Sequence, residues 1–289
     1  MVPVVAQAPT SVLITGCSSG IGHATAKRLA ERGWTVYATA RRPESISDLA
    51  EAGCKTLALD VTDEASMESA IGVVEEAEGA VGALVNNAGY SQSGAIETVP
   101  LERVRAQFET NVFGLLRMCQ LVLPGMRREG RGRIVNISSM GGRLVFPGGG
   151  AYHGTKYAVE ALSDAMRFEV RGFGIDVVLI EPGLITTDFG NVAAGSVDAT
   201  GSGAEGDDPY AEFNATVATA TKEAYEGPMR RLGGGPETVA KAIERALGAR
   251  RPKARYVVTP SARMALMTRR VLPARGWDAA MRSQFPTPE

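Results

Sequence analysis

Short apolar runs alternate, through the first two thirds of the chain, with segments in which apolar residues recur every three or four positions. The short runs are bounded by glycine or polar turns and predict β-strands at Ser11–Thr15, Thr35–Ala40, Lys55–Leu59, Ala83–Asn86, Arg133–Ser138 and Ile175–Ile180. The segments between them predict helices at Gly20–Arg32, Glu44–Glu51, Asp63–Glu78, Leu101–Met126 and Ala151–Arg171. Continuous apolar strands are buried on both faces, so the pattern predicts an α/β fold with a single doubly wound parallel sheet and helices on both faces.

The alternation stops after Gly183. Asn191–Pro209 is rich in Gly, Ala, Ser and Asp and predicts a long mobile loop of the kind that covers a substrate. Beyond this loop, the spacing predicts helices at Tyr210–Tyr225 and Pro236–Ala249 and a last strand at Arg255–Thr259.

The composition is that of a globular protein, with 289 residues, 44% of them hydrophobic, and 31 Lys and Arg against 32 Asp and Glu. We predict one domain over residues 1–289, with a cofactor and catalytic core at 10–190, a mobile substrate loop and helix at 191–235, and a basic C-terminal tail at 260–289. The net charge of -1 and the 6% of aromatic residues argue against nucleic acid as a partner.

The C-terminal part is basic although the whole chain is not. Residues 245–289 carry 10 Lys or Arg and 2 Asp or Glu, which gives a net charge of +8. We interpret this part as a solvated, arginine-rich face of an amphipathic segment, and the alternative is contact with a membrane or an anionic substrate.

Cysteine usage indicates a reducing compartment. Cys17, Cys54 and Cys119 are too scattered for a disulfide framework and lack the neighbours of a metal site, so we expect reduced thiols in a cytoplasmic protein. The first ten residues carry no basic group, and the apolar stretch Val112–Leu123 is interrupted by Arg117. We therefore expect neither a signal peptide nor an integral membrane segment.

A glycine-rich turn joins the first strand to the first helix. Gly16, Gly20 and Gly22 let the chain turn tightly and let main-chain N–H groups approach a pyrophosphate at the start of the helix. Such turns also occur without ligands, so the glycines alone leave dinucleotide binding open.

The end of the second strand indicates which dinucleotide is bound. Ala40 is followed by Arg41 and Arg42 at the position where a carboxylate often takes the ribose hydroxyls. A guanidinium can bind a 2′-phosphate through two hydrogen bonds, which favours NADP (NADPH) over NAD. The alternative is a solvated arginine pair.

Tyr152 and Lys156 lie one turn apart on a predicted helix. An ammonium about 5 Å from the phenol, at an effective dielectric constant of ~20, would lower the tyrosine pKa by about 2 units. Tyr152 would then act as an acid or base near neutral pH. His153 is assigned no role, since it should point away from Lys156.

Other polar residues follow the strands at the same edge of the sheet. Ser139 comes directly after the fifth strand, and the segment Asn86–Gly89 ends the fourth. Asn111 interrupts the apolar face of a long helix, where a buried amide needs a partner. These groups converge on one edge with Tyr152 and Lys156.

The chain resembles the short-chain dehydrogenase/reductase family. The resemblance rests on Thr15–Gly22, Asp60 and Val61, Asn86–Gly89, Asn111, Ser139, Tyr152, Lys156, Pro182 and Gly183, and Thr187, in the family's order. It implies a Rossmann-like sheet, a nicotinamide cofactor and hydride transfer between that cofactor and a carbonyl/alcohol pair. A narrower likeness is to the branch with retinol and 17β-hydroxysteroid dehydrogenases and bacterial oxidoreductases.

The resemblance also implies roles for individual residues. Ser139 would bond the substrate oxygen, Tyr152 would transfer the proton, and Lys156 would bind the nicotinamide ribose and lower the Tyr152 pKa. Asn111 would anchor a relay water, and Thr187 would hold the carboxamide. The implied catalytic residues are Asn111, Ser139, Tyr152 and Lys156. The implied cofactor-binding residues are Gly16, Ser18, Ser19, Gly20, Ile21, Gly22, Arg41, Asp60, Val61, Asn87, Ala88, Gly89, Tyr152, Lys156, Pro182, Gly183, Ile185 and Thr187.

Two other functions compete with this enzyme: a non-catalytic dinucleotide-binding regulatory or structural protein, and a sugar-nucleotide epimerase, which would need a larger C-terminal domain.

The substrate pocket is expected to be built from Ser91–Ile96, Gly141–Gly150, Leu184–Tyr225 and the tail. Its apolar members would be Leu144, Val145, Phe146, Phe189, Phe213 and Met229. They favour a small apolar ketone or alcohol, steroid-like or retinoid-like, as the partner. We expect a homodimer or homotetramer.

Overall fold

The computed structural model describes residues 10–198 and 208–288, and a seven-stranded sheet runs through this part of the chain. The strands are β1 (Ser11–Ile14), β2 (Thr35–Ala40), β3 (Lys55–Ala58), β4 (Ala83–Asn86), β5 (Gly132–Ile137), β6 (Ile175–Glu181) and β7 (Arg255–Val257). Neighbours pair in parallel in the order β3-β2-β1-β4-β5-β6-β7. The order reverses between β1 and β4, and a ligand is expected at the carboxyl ends of the strands beside that point.

Helices cover both faces of the sheet. They are α1 (Gly20–Glu31), α2 (Ser47–Glu51), α3 (Glu64–Glu78), α4 (Leu101–Phe108), α5 (Leu115–Arg128), α6 (Gly150–Val170), α7 (Phe189–Asp198), α8 (Ala211–Glu226), α9 (Pro236–Gly248), α10 (Pro260–Val271) and α11 (Ala274–Arg282). None of the described helices is long and apolar enough to cross a membrane.

The core consists of two apolar layers, one on each face of the sheet. Val12 and Ile14 of β1 pack with Leu29 of α1 and with α9, whereas Leu13 faces the opposite side and packs with Met118 of α5. All five side chains are fully buried. Burying one such side chain stabilises a fold by about 1.5–3 kcal/mol, so this strand anchors both layers.

The predicted strands are confirmed to within two residues, and the predicted helix Leu101–Met126 is interrupted. A π-helical turn at Glu109–Gly114 separates α4 from α5. Gly114 lies there so close to Val61 that a Cβ would overlap the Val61 carbonyl oxygen. The close approach of this turn to the end of β3 brings Asn111 to the edge of the sheet.

The prediction of a mobile loop over Asn191–Pro209 is wrong for its first part. Residues 189–198 form α7, in which Ala193 and Val197, four positions apart, are buried. Low apolar content conceals this helix, because two buried side chains on one face are enough to pack it against α8. Residues 199–207 lie outside the described residues. The basic tail at 260–289 is likewise helical, as α10 and α11.

Candidate active site

One cavity of about 1140 Å³ opens at the carboxyl edge of the sheet. All the residues that the sequence predicts for cofactor binding and catalysis line this cavity, except Gly22 and Asn111. The structure therefore brings together side chains from β1 to β6 that are far apart in the sequence.

The glycine-rich turn forms the floor of the cavity below α1. Gly16 and Gly20 have φ angles of +71° and +60°, and a Cβ on Gly16 would lie 2.9 Å from the Ala88 Cα. Gly22 is needed for packing, because a Cβ there would overlap the Gly16 carbonyl oxygen. Ser19 gives the helix no side-chain cap. The first N–H groups of α1 are thus available to an anion, which fits a dinucleotide pyrophosphate.

Asn87 and Thr15 hold this turn against the end of β4. The Asn87 amide donates to the carbonyl oxygens of Thr15 (3.0 Å) and Gly16 (2.9 Å). The Thr15 hydroxyl oxygen accepts from the N–H groups of Asn87 and Ala88, both at 3.0 Å. These hydrogen bonds fix the shape of the turn.

Arg41 and Asp60 line the end of the cavity beside β2 and β3. Arg41 is exposed and lines the cavity, whereas Arg42, the other arginine after β2, does not. Among the described residues, no carboxylate forms an ion pair with Arg41, so its guanidinium is available to a phosphate. The Asp60 carboxylate accepts from the N–H (2.9 Å) and the hydroxyl (2.7 Å) of Thr62, which orients it at the end of β3.

The opposite end is formed by the segment after β6. Pro182, Gly183, Ile185 and Thr187 line the cavity, and the Thr187 hydroxyl oxygen accepts from the Phe189 N–H at 3.3 Å. Gly183 is required by a close approach of the C-terminal segment. A Cβ on Gly183 would overlap the side chain of Thr259 and lie 2.6 Å from the Ser261 hydroxyl oxygen.

Tyr152, Ser139 and Lys156 meet between the ends of β5 and α6. The Ser139 hydroxyl lies close enough to the Tyr152 phenol to lower its pKa, and it accepts from the Gly141 N–H at 3.0 Å. Lys156 is buried, and its ammonium donates to the Ile137 carbonyl oxygen at 2.8 Å. The Lys156 Nζ lies 5.7 Å from the centre of the Tyr152 ring.

The electrostatic surroundings of Tyr152 differ from the prediction. Burial raises its pKa well above the ordinary value, Ser139 opposes this shift, and the nearby phenol of Tyr225 adds to it. Burial also lowers the pKa of Lys156 to about 8, against the attraction of Glu160. The expectation of a Tyr152 pKa below the ordinary value is therefore wrong, because burial raises it. The Lys156 ammonium donates its hydrogen bond to Ile137 rather than to the phenol.

Asn111 lies in the π-helical turn, and both the nitrogen and the oxygen of its side-chain amide form hydrogen bonds. Its amide donates to the Tyr90 carbonyl (2.9 Å) and the Thr155 hydroxyl (3.1 Å), and its oxygen accepts from the Tyr90 N–H (3.1 Å). The prediction that this buried amide needs partners is confirmed. Its side chain links the segment after β4 to α6 beside Lys156.

His153 has a place that the sequence analysis did not assign. Its ring is buried, its Nδ1 accepts from the Phe146 N–H at 3.3 Å, and burial lowers its pKa to about 4. A Cβ on either Gly141 or Gly149 would lie 2.5 Å from the ring. The loop 141–149 therefore wraps around a neutral imidazole, and the sequence signal is the glycine at both ends of the loop.

The outer half of the cavity is apolar, as predicted, but the residues that line it differ in part from the predicted set. Of the six expected members, Phe146 and Phe189 line the cavity, whereas Leu144 is buried in the protein and Val145 and Phe213 lie outside the lining. The side chain of Met229 lies outside the described residues. The predicted pocket segments Leu184–Tyr225 and the tail contain further lining residues that the sequence analysis did not name individually: Val192, Ala193, Val217, Tyr225, Met264 and Phe285.

Tyr225 is the polar member of this outer half. Its ring rests on α7, where a Cβ on Gly190 would lie 2.7 Å from the ring carbon Cδ2. Burial raises the pKa of the Tyr225 phenol to about 12, so it is a hydrogen-bond donor at neutral pH. The Phe189 ring packs edge-on against Tyr152 with centroids 5.4 Å apart, which joins the outer half of the cavity to Tyr152.

Comparison with known proteins places this geometry in a family. Residues 10–195 match the family described as short chain dehydrogenase. A curated 3-ketodihydrosphingosine reductase of Bacteroides thetaiotaomicron is 43% identical over 182 residues, which cover 63% of this chain and 66% of that protein. An NADPH-dependent 3-dehydrocapnine reductase of Ornithobacterium rhinotracheale is 35% identical over 275 residues, which cover 92% of this chain and 94% of that protein.

The fold is also found among solved structures. A short-chain dehydrogenase from Streptomyces avermitilis is 36% identical and superposes with a TM-score of 0.76, covering 95% of this chain and 98% of its own. The likeness therefore extends beyond the region of the family match, into the C-terminal helices.

Proposed function

The chain belongs to the short-chain dehydrogenase/reductase family of oxidoreductases, which act on CH–OH or carbonyl groups with a nicotinamide dinucleotide, and on that premise we propose that it is an NADP(H)-dependent reductase of apolar ketones. The observation that carries this proposal is the Ser139–Tyr152 pair, which lies in the same cavity as the glycine turn and an apolar outer half. A ketone in the cavity would have its oxygen at this pair.

Tyr152 is the proposed general acid. When bound, the cofactor supplies the hydride to the carbonyl carbon, and the carbonyl oxygen must then receive a proton. Ser139 would donate a hydrogen bond to that oxygen, and Tyr152 would transfer its phenolic proton to it. Because burial raises the pKa of Tyr152, the phenol is protonated at neutral pH and is ready for this step. The same two groups, with the proton moving back, serve alcohol oxidation at higher pH.

Lys156 and Asn111 are proposed to support the proton transfer. Lys156, with a pKa of about 8, exchanges protons readily near neutral pH and would bond the nicotinamide ribose. The Asn111 side chain is committed to Tyr90 and Thr155. The Asn111 side chain would therefore act as a positioning group that holds Tyr90 and Thr155 beside Lys156.

NADP(H) is favoured over NAD(H) by the charge at the adenosine end. Arg41 lines the cavity directly after β2, and a guanidinium can bind the 2′-phosphate with two hydrogen bonds. A carboxylate at this position would repel that phosphate. A relative named as NADPH-dependent supports the same assignment.

The apolar outer half supports a hydrophobic substrate. The names of two relatives describe reductases of a 3-keto and a 3-dehydro compound, which supports the direction of ketone reduction. Tyr225 would bond a second polar group near the ketone. Steroid-like and retinoid-like carbonyls fit the same chemistry.

A substrate panel tests this function. Purified protein is mixed with NADPH or NADH and with steroids, retinoids, aliphatic ketones and quinones, and the loss of reduced nicotinamide is followed. We expect turnover with apolar ketones and NADPH, which Tyr152→Phe abolishes. NADPH binding without turnover of any carbonyl in the panel would favour the non-catalytic dinucleotide-binding protein.

We also propose a homodimer or homotetramer in the cytoplasm. Leu101, Phe113 and Phe168 are exposed apolar residues on α4, the π-helical turn and α6, elements that lie against one another. Exposed large apolar side chains on neighbouring elements are typical of contacts between copies. The three cysteines are buried and free, which suits a reducing compartment. Light scattering of the purified chain tests the oligomeric state.

A further inference from the structure

Helix α10 presents an apolar stripe to solvent. Met264, Met267 and Val271 are 49%, 67% and 73% exposed, and their spacing places them on one face of the helix. Ala262, on the opposite face, is fully buried against the protein. The stripe of large apolar side chains is therefore directed away from the core.

Arginines flank this stripe. Arg263 and Arg270 are exposed on α10, and Arg275 and Arg282 are exposed on α11. Within the described part of the chain none of these four arginines forms an ion pair with a carboxylate. Between residues 260 and 288 they are opposed by one acidic residue, Asp278. The surface formed by α10 and α11 is therefore both apolar and positively charged.

The stripe reaches the mouth of the substrate cavity. Met264 and Ala265 line the cavity as well as belonging to α10, and Phe285 lines it from the segment after α11. Val192 of α7 is also half-exposed while lining the cavity. An apolar path thus leads from the outer face of α10 into the cavity.

The same helices are attached to the wall of the cavity. The Trp277 indole N–H of α11 donates to the Val145 carbonyl oxygen at 3.2 Å, and its ring lies 5.9 Å from that of Phe146. The Arg269 guanidinium of α10 stacks over the Trp277 ring. A partner bound to α10 would therefore lie directly beside the loop that His153 holds.

We propose that α10 docks on an anionic phospholipid bilayer, with Met267 and Val271 entering the acyl boundary and Arg263 and Arg270 bonding lipid phosphates. An apolar ketone dissolved in the bilayer then enters the cavity past Met264 without crossing water. This substrate route rests on the proposed ketone reduction, whereas the docking itself does not. Amphipathic helices with basic flanks bind membrane surfaces in this way.

A second copy of the chain fits this surface less well. In a two-fold interface the same patch meets itself, so Arg263 and Arg270 would face their own copies without acidic partners. A bilayer that contains anionic lipids instead offers negative charges to the arginines and an apolar interior to the stripe of α10. The positive charge of α10 and α11 therefore favours an anionic bilayer over a second copy of the chain as the partner.

Co-sedimentation with vesicles tests the docking. The full chain is mixed with vesicles of phosphatidylcholine alone or with phosphatidylglycerol added, at low and high salt. We expect binding to the anionic vesicles that weakens with salt. The double variant R263E/R270E should bind at least roughly 25-fold more weakly, since each basic residue contributes about fivefold. M267E/V271E should lose roughly tenfold or more.

Matched controls separate docking from general changes. Arg250 and Arg251 are exposed after α9, at the amino ends of the strands near Arg133, so R250E/R251E changes the charge equally and should bind vesicles like wild type. V73E, which replaces an exposed apolar residue on α3, is the control for M267E/V271E and should bind vesicles like wild type. All variants should reduce a small water-soluble ketone at the wild-type rate.

The outcomes distinguish the two proposals. Absence of wild-type binding to anionic vesicles, or equal loss in R250E/R251E and R263E/R270E, overturns the docking whatever the activity. Loss of self-association in M267E/V271E without vesicle binding overturns it in favour of a contact between copies. Vesicle binding without turnover of any ketone leaves the docking in place and overturns the proposed function.

Discussion

The Lys156 ammonium lies 5.7 Å from the centre of the Tyr152 ring and donates its hydrogen bond to the main-chain carbonyl of Ile137. The charge is therefore fixed by the end of β5 rather than by the phenol. Burial lowers the pKa of Lys156 to about 8 and raises that of Tyr152. The pair combines a protonated phenol, which is the form that can deliver a proton to a ketone oxygen, with an ammonium that exchanges its proton near pH 8.

Tyr152→Phe should abolish turnover and leave NADPH binding nearly intact. The change removes the proposed proton donor and little packing surface, and general acid catalysis contributes roughly 10²–10⁴-fold. Rates and a fluorescence titration of NADPH check both statements. Ser139→Ala should be less severe, because it removes one hydrogen bond and no proton donor. Retention of more than about a tenth of the wild-type kcat by Tyr152→Phe would exclude Tyr152 from this role.

Arg41→Asp should reverse the cofactor preference, because a carboxylate repels the 2′-phosphate and accepts from the ribose hydroxyls. The ratio of kcat/KM for NADPH to that for NADH measures this preference. Arg42→Asp is the matched control, since Arg42 is also exposed and does not line the cavity. Equal effects of the two substitutions would mean that only the general charge of this surface matters.

Lys156→Met should lower activity and stabilise the fold at pH 7. A folded-state pKa of about 8 against 10.5 means that the unfolded chain binds more protons between these values, so wild-type stability rises with pH across that window. Below pH 8 the buried charge costs about 3 kcal/mol, and loss of the hydrogen bond to Ile137 offsets about 1 kcal/mol of the gain.

Urea unfolding of both proteins between pH 7 and 11 measures this effect. The advantage of Lys156→Met should shrink as the pH rises through 8 to 10.5. Lys241→Met, on the exposed face of α9, is the control and should show no such trend. An advantage that does not change with pH would contradict the assigned burial cost.

His153→Asn should remove one part of the acid sensitivity of the protein. The pKa of His153 is about 4 in the folded chain and 6.5 in the unfolded chain, so the unfolded chain binds more protons in that window. Wild-type stability is complete above pH 6.5 and falls by up to about 3 kcal/mol as the pH is lowered to 4. Asn keeps an acceptor for the Phe146 N–H and does not titrate.

Unfolding curves of wild type and His153→Asn from pH 4 to 8 provide the measurement. The stability difference between them should vary in the acid part of this range and be constant above pH 6.5. Parallel curves throughout would show that His153 is not held neutral by the loop 141–149.

Gly190→Ala should impair substrate binding by displacing Tyr225. The added Cβ would lie 2.7 Å from the Tyr225 ring, so the ring must move. We expect KM for the ketone to rise roughly tenfold, with NADPH binding unchanged. Gly195→Ala lies in the same helix with open space around it and should leave KM at the wild-type value. A wild-type KM in Gly190→Ala would remove Tyr225 from the substrate site.

The sequence predicts the inner half of the site better than the outer half. The glycine turn and Ser139 follow strands directly, and parallel strands end at one edge, so local patterns are enough to place them. Tyr225 and Met264 reach the cavity from α8 and α10, whose positions depend on packing between distant segments. His153 was given no role because its sequence signal, the glycine at each end of the loop 141–149, does not by itself indicate a ring packed between them.

The close contact of Gly183 with Thr259 and Ser261 has a consequence for biosynthesis. The wall of the cavity after β6 is completed by Thr259 and Ser261, which the ribosome adds after β1 to β6, and Met264 and Phe285 follow them. A nascent chain that has already formed β1 to β6 therefore has a glycine turn and a Tyr152–Lys156 pair but an open side. Catalytic competence should appear abruptly, when the segment beyond Ser261 emerges from the exit tunnel and packs against Gly183.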